Sequence, residues 1–253
     1  MPGTVRGAGP PVWWGEIMKR LRDRWADLGP RVTSAVGMIA VGLGAILAHP
    51  LAFAALVAVV AVVGLWELFQ MGRAKSATGV FSFADFFALS GYAFMLCLGA
   101  LGLLSLRMVY GISGLLFVVT LVVLTDTGGY FAGRALGGRK FWPAISPKKT
   151  WAGVIAGWGA VAVFAGVIGP DFAAHPIGIG WGGFVLGAVA LSFASQLGDI
   201  MESALKRRMG VKDSSNLIPG HGGVLDRFDA LLAVGALCLA ALVLPAYLAA
   251  SAG

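Results

Sequence analysis

The chain has 253 residues, 58% of them hydrophobic and only 12% charged, with a net charge of +7. Its mean hydropathy is +0.85. A soluble domain carries about 25% charged residues, so these values exclude a water-soluble core and predict an all-α integral membrane protein, a polytopic helical bundle. The positive charge is not a nucleic-acid footprint, because it follows the membrane segments as set out below. Cys97 and Cys238 each sit in an apolar run, which offers neither a disulfide framework nor a metal cluster. No window reads as a second soluble domain. The chain divides into a basic N-terminal segment, residues 1–30, and one transmembrane domain, residues 31–253, that carries the chemistry.

In the first 30 residues Trp14, Ile17, Leu21, Trp25 and Leu28 recur at helical spacing, with Lys19, Arg20, Arg22, Asp23 and Arg24 on the other face. The spacing predicts an amphipathic helix lying in the interface of an anionic membrane; a disordered basic tail is the alternative. A cleavable signal is not expected, since no short apolar core precedes a small-residue cleavage site. About seven apolar runs then follow, each sized for a hydrocarbon layer of about 30 Å: 32–48, 51–70, 83–104, 109–131, 152–169, 181–198 and 229–249. His49-Pro50 makes the first two a tight hairpin. Glycines inside the runs read as close helix packing.

Of the 19 lysines and arginines, only Arg107 falls outside the stretch before span one, residues 1–31, and the loops after spans two, four and six. Basic loops stay on the cytoplasmic side. The pattern places the N-terminus inside and the C-terminus outside, and it brings the two large basic loops to one membrane surface. An integral protein of the plasma (inner) membrane, with its site facing the cytoplasm, is the expectation.

Charged groups inside a bilayer are costly and mark candidate sites. Glu67, Asp85, Asp126, Asp199 and Asp229 lie in or at the ends of spans. Glu67 is either a functional carboxylate or one that, near a cytoplasmic end, simply reaches water; Asp85 reads as interfacial. Asp126 is expected to be a buried carboxylate facing the polar site, with Tyr130 on the same face; a structural ion pair with a basic loop is the alternative. Asp199, Glu202, Ser203 and Lys206 fall at i, i+3, i+4 and i+7, on one face of a helix leaving the membrane. Asp226 and Asp229 open the next span. Two helix ends each offering an aspartate at one surface can grip a hard cation, and magnesium takes one or two carboxylates plus water and substrate phosphate. Between them, Pro219-Gly220-His221-Gly222-Gly223 suits a phosphate cradle in which glycines turn backbone N–H groups to an anion. His221 could donate to phosphate or act as an acid; an ordinary turn is the alternative. Ser146, Lys148, Lys149 and Thr150, before span five, offer cationic and hydroxyl donors. Walker-type loops, His-Glu-x-x-His pairs and nucleophile elbows do not occur in the sequence, so hydrolysis by an activated serine is unsupported.

Ser203-x-x-Lys206-Arg207, Lys212-Asp213 and Pro219-Gly220-His221-Gly222-Gly223-x-x-Asp226-Arg227-x-Asp229 closely resemble the signature of phosphatidate cytidylyltransferases, also called CDP-diacylglycerol synthases. The Gln-Leu-Gly-Asp run ending at Asp199, the Asp126-x-Gly-Gly-Tyr130 stretch and the Ser-Pro-Lys-Lys-Thr stretch resemble companion motifs, so the likeness covers roughly residues 125–230. It implies magnesium-dependent transfer of the cytidylyl group from CTP to phosphatidic acid, within membrane lipid, by a homodimer. It also implies that Asp199 and Asp226 are metal ligands; Glu202 and Asp229 are further candidates by their places at the two helix ends, and a second cation is a further expectation. The catalytic set expected is Asp199, Asp226, Lys206, Arg207 and His221. The substrate-binding set is Asp126, Ser146, Lys148, Lys149, Ser203, Lys212, Asp213, Gly222, Gly223 and Arg227. Two competing readings are a cation-coupled transporter, which would place carboxylates near the midplane, and a CTP-dependent transferase acting on an isoprenoid alcohol, which would need a base.

Overall fold

A computed structural model of the chain describes residues 28–173, 180–218 and 220–251. In order these form α1 (Leu28–Leu47), α2 (Pro50–Thr78), α3 (Phe83–Leu136), strands β1 (Lys140–Trp142) and β2 (Ser146–Thr150), α4 (Trp151–Ala173), α5 (Gly180–Met209) and α6 (Leu225–Ser251). The amphipathic helix expected over residues 1–30 lies outside the described residues, except that Leu28 to Pro30 open α1. Pro219 lies outside them too.

Among the described residues four helices, α2 to α5, are long and apolar enough to cross a membrane. Val62, Phe69, Leu101, Val167 and Leu186 each expose more than half of their surface. Such an area is a liability in water and an ordinary lipid-facing surface in hydrocarbon. The chain is a helical membrane protein, as its composition required.

The span pattern differs from expectation in three places. The third and fourth spans are one element, α3, interrupted where Gly111 adopts φ 65°, ψ −151°. A Cβ added at Gly114 would lie 3.6 Å from Leu106 Cγ, whereas eight residues of straight helix separate two positions by about 12 Å. The helix therefore bends sharply at Gly111, whose missing Cβ admits the left-handed φ; the charge of Arg107 had suggested a loop. In α1 the apolar stretch is only Val32–Leu47, short of the ~20 residues a straight crossing needs. The segment after α3 is a β-hairpin pairing Lys140 with Thr150 and Trp142 with Ser146. Thr150 Oγ1 accepts the Gly153 N–H at 3.2 Å and so caps α4. The His49-Pro50 hairpin is present: Pro50 begins α2 and the His49 side chain accepts the Leu51 N–H.

The bundle is held by backbone-close crossings. A Cβ at Gly102 on α3 would collide with the Gly235 carbonyl on α6, and one at Gly198 on α5 would sit 2.6 Å from the Asp229 carbonyl. Small residues permit this approach where lipid supplies no hydrophobic force between helices. The Gly198 contact presses α5 against the turn of α6 that carries Asp229. Glu67 and Asp85 are shielded by the protein rather than open to water: they are 0% and 4% exposed. Asp85 forms a capping box with Ser82 at the start of α3 and receives Arg208 Nε of α5 at 2.7 Å.

Candidate active site

Two clusters form along the C-terminal half of α5, one against the start of α6 and one against β2. In the first, Lys206 Nζ lies 2.6 Å from Glu202 Oε2 and 2.5 Å from Asp226 Oδ1. The i, i+4 spacing on α5 supplies Glu202, and the return of the chain into α6 supplies Asp226. The other Asp226 oxygen accepts the Ser214 N–H at 2.9 Å, the Ser214 hydroxyl at 2.9 Å and the Gly223 N–H at 2.8 Å. The glycine loop thus does turn an N–H toward an anion, but the anion is Asp226. The His221 N–H is also taken, by the Ile218 carbonyl at 2.9 Å. The cradle expected for a substrate phosphate is, at Gly223, a cradle for the protein's own carboxylate, because a buried aspartate needs those donors.

Gly222 has φ +86°, and a Cβ there would lie 2.7 Å from Asp226 Oδ2. Gly222→Ala is therefore expected to cost about 1–3 kcal/mol of stability from the left-handed φ alone and to displace Asp226. Thermal unfolding in detergent beside turnover checks this; a variant matching the parent in both would remove the requirement.

In the second cluster Lys149 Nζ is 2.5 Å from Asp199 Oδ2 and 3.5 Å from the Gln196 carbonyl. The Ser203 hydroxyl donates to Asp199 Oδ1 at 3.4 Å. Lys149, Gln196 and Asp199 border a cavity of about 650 Å³ lined also by Asp126, Tyr130, Arg134, Lys148 and Thr150. Asp126 faces this polar space as expected, but it is exposed to it rather than buried. Asp229, 8% exposed, joins the clusters: it lies within electrostatic reach of Asp199, Lys206 and Asp126, and Glu202 within reach of Asp229 and Asp226.

The remaining expected residues sit further out. Arg207 is exposed, its Nη1 donating to the Val211 carbonyl at 3.4 Å. Lys212 and Asp213 are exposed, and Ser146 lies half-buried on β2. Arg227 donates twice to the His221 carbonyl, at 3.1 and 2.6 Å, and so braces the loop. The His221 ring shares a 2.7 Å hydrogen bond at Nδ1 with the Ser34 hydroxyl of α1. Gln196, which opens the Gln-Leu-Gly-Asp run, lines the cavity, and Ser214 and Arg134 belong to the site although no motif pointed to them; the hint for Ser214 was its place in the polar loop before α6, where a buried carboxylate would seek donors.

Five carboxylates, Asp126, Asp199, Glu202, Asp226 and Asp229, stand against Lys149 and Lys206. Glu202 Oε1 is buried with no hydrogen-bond partner. An excess of hard, negative oxygen donors with one orphaned suits a divalent cation. Among the described residues no three acidic, His or Cys side chains converge tightly enough to hold an ion; Asp199 and Asp226 are each paired with a lysine instead. The donors fit a cation in kind and charge, with the lysines as its competitors.

A family model described as "Cytidylyltransferase family" matches residues 76–244. The chain is 46% identical over 168 residues to the phosphatidate cytidylyltransferase of Brucella suis, covering 66% of this chain and 57% of that protein. It is 46% identical over 125 residues to the phosphatidate cytidylyltransferase of Bacillus subtilis (49% of this chain, 45% of that protein). The Haemophilus influenzae protein of the same name is 48% identical over 127 residues (49% and 43%). The chain spans about half the length of the curated relatives it matches. The matched region contains both lysine-carboxylate clusters, and the chain belongs to the cytidylyltransferase family.

Proposed function

We propose that this chain transfers the cytidylyl group of CTP to phosphatidic acid, forming CDP-diacylglycerol and releasing pyrophosphate. The observation that carries the reading is the cavity bounded by Lys148, Lys149, Arg134, Asp126 and Asp199, a charged space set among lipid-facing helices. A soluble polyanion and a lipid phosphate could meet there. In the reaction a phosphatidate oxygen bonds to the α-phosphorus of CTP, and the bond from that phosphorus to the β-phosphate oxygen breaks. A phosphate monoester has a second pKa of about 6, so the attacking oxygen arrives ionised and needs no base.

The chain's tasks are then binding, orientation and charge neutralisation. Lys148, Lys149 and Arg134 hold phosphate oxygens. Arg207 and Lys212, exposed beside the site, draw the nucleotide in. Asp199 and Asp226, with Glu202 and Asp229 beside them, would hold magnesium, and a second cation would draw on the same carboxylates. Bound there, the ion supplies Lewis-acid charge to the phosphate oxygens. Lys149 and Lys206 keep the carboxylates from repelling one another before substrate arrives. His221 is held toward α1 by Ser34 and serves as a donor to phosphate rather than as a base. In this reading the site faces the cytoplasm across the inner membrane, because the lysine- and arginine-rich segments stay inside. The protein works as a homodimer, an element carried over from the family likeness.

Purified protein in mixed micelles should release pyrophosphate only when CTP, phosphatidate and magnesium are all present. Release with an isoprenoid alcohol in place of phosphatidate, or none with phosphatidate, would overturn the reading.

A further inference from the structure

Glu67 on α2 is fully buried. A buried carboxylate inside a membrane helix is costly unless its oxygens are filled, and four donors from one short region of chain fill them. The Ser214 hydroxyl lies 3.1 Å from Oε2 and the Ser215 hydroxyl 2.5 Å from Oε1. The N–H groups of Val224 and Leu225 donate at 2.9 and 2.8 Å. Those two amides stand at the start of α6, where helix geometry leaves N–H groups without intrahelical partners. A carboxylate there also meets the positive end of the helix dipole. The cap of α6 thus comes from a different helix, more than 150 residues earlier in the chain.

The grip continues to the site. The single proton of the Ser214 hydroxyl is shared with Asp226 Oδ2, 2.9 Å away, and Asp226 Oδ1 meets Lys206, which meets Glu202. Glu67, Ser214, Asp226, Lys206 and Glu202 form one continuous line of polar contacts. A Cβ added at Gly223 would collide with both the Ser214 hydroxyl and the Glu67 carboxylate, so the glycine is the residue that lets this grip close.

We infer that Glu67 is a positioning residue: its carboxylate fastens the Ser214–Ser215 turn to the start of α6 and thereby fixes where Asp226 stands. The inference rests on the cytidylyl-transfer reading for its kinetic readout alone. Glu67→Gln keeps the size but turns an NH2 group toward donors. Amide hydrogen exchange in peptides covering residues 214–225 should speed by about 10-fold or more, while those of α4 keep the parent's rate. kcat should fall about 10-fold or more with the KM for CTP within about threefold. Ser215→Ala, which removes one donor and leaves the carboxylate, should show the same pattern at about two- to fivefold in kcat, and it decides the matter if Glu67→Gln does not accumulate. Parental exchange over 214–225, exchange accelerated throughout the molecule, or an unchanged kcat would overturn the inference. Should the parent form no CDP-diacylglycerol, the cytidylyl reading fails, while the exchange pattern still decides whether Glu67 holds the turn.

Discussion

Asp199→Asn is expected to lower CDP-diacylglycerol formation by about 100-fold or more, a loss of at least ~2.7 kcal/mol in transition-state stabilisation. The unfolding temperature should stay close to the parent's. Asn keeps the size and removes the charge that meets Lys149 at 2.5 Å. The Asp199 side chain is 37% exposed, so water takes over most of what the pair contributes to stability. The loss therefore falls on function: a neutral amide neither binds a hard cation strongly nor orients Lys149 over the cavity. Turnover and melting measured on the same preparation separate the two. Near-parental turnover would remove Asp199 from the chemistry.

Lys206→Met is expected to damage folding as well as activity. Its ammonium group is paired with two carboxylates, Glu202 and Asp226, that are 1% and 7% exposed at their side chains. Removing one partner from a buried ionic cluster costs about 3–5 kcal/mol, because charge is left uncompensated. Here two carboxylates lose their cation at once, with Asp229 also within electrostatic reach of Glu202. The unfolding temperature should drop by several degrees or more. Adding Glu202→Gln should recover part of that loss by deleting one stranded charge, a coupling that a double-mutant cycle reads directly. Equal stability of Lys206→Met and the parent, or no recovery in the double variant, would contradict the burial of this cluster.

Legibility in the sequence followed the range of the interaction. The α5 face was readable because its partners are local: Glu202 with Lys206 and Asp199 with Ser203 are four residues apart, and both pairs occur. The membrane class was readable because hydropathy is additive along the chain. The bend in α3 was not, since Arg107 drew the eye to a loop while the break depended on the conformation of Gly111. Glu67 escaped for a deeper reason. In a membrane helix the lipid-facing and bundle-facing sides are both apolar, so periodicity does not say which way a lone carboxylate points. Lys149 of β2 meeting Asp199 of α5, and Lys206 of α5 meeting Asp226 of α6, join separate elements, which spacing along one element does not report. The glycine loop was legible as an anion-binding turn, but nothing in its spacing said that the anion at Gly223 would be Asp226.

Whether Asp199 and Asp226 serve a single centre is decided most directly by comparing Asp199→Asn, Asp226→Asn and the double variant in kcat/KM for CDP-diacylglycerol formation. Groups that act as a unit are strongly non-additive, so the double variant should fall no further than the worse single one, within about threefold. Losses that multiply across the two substitutions would place the carboxylates in independent roles and contradict the shared centre.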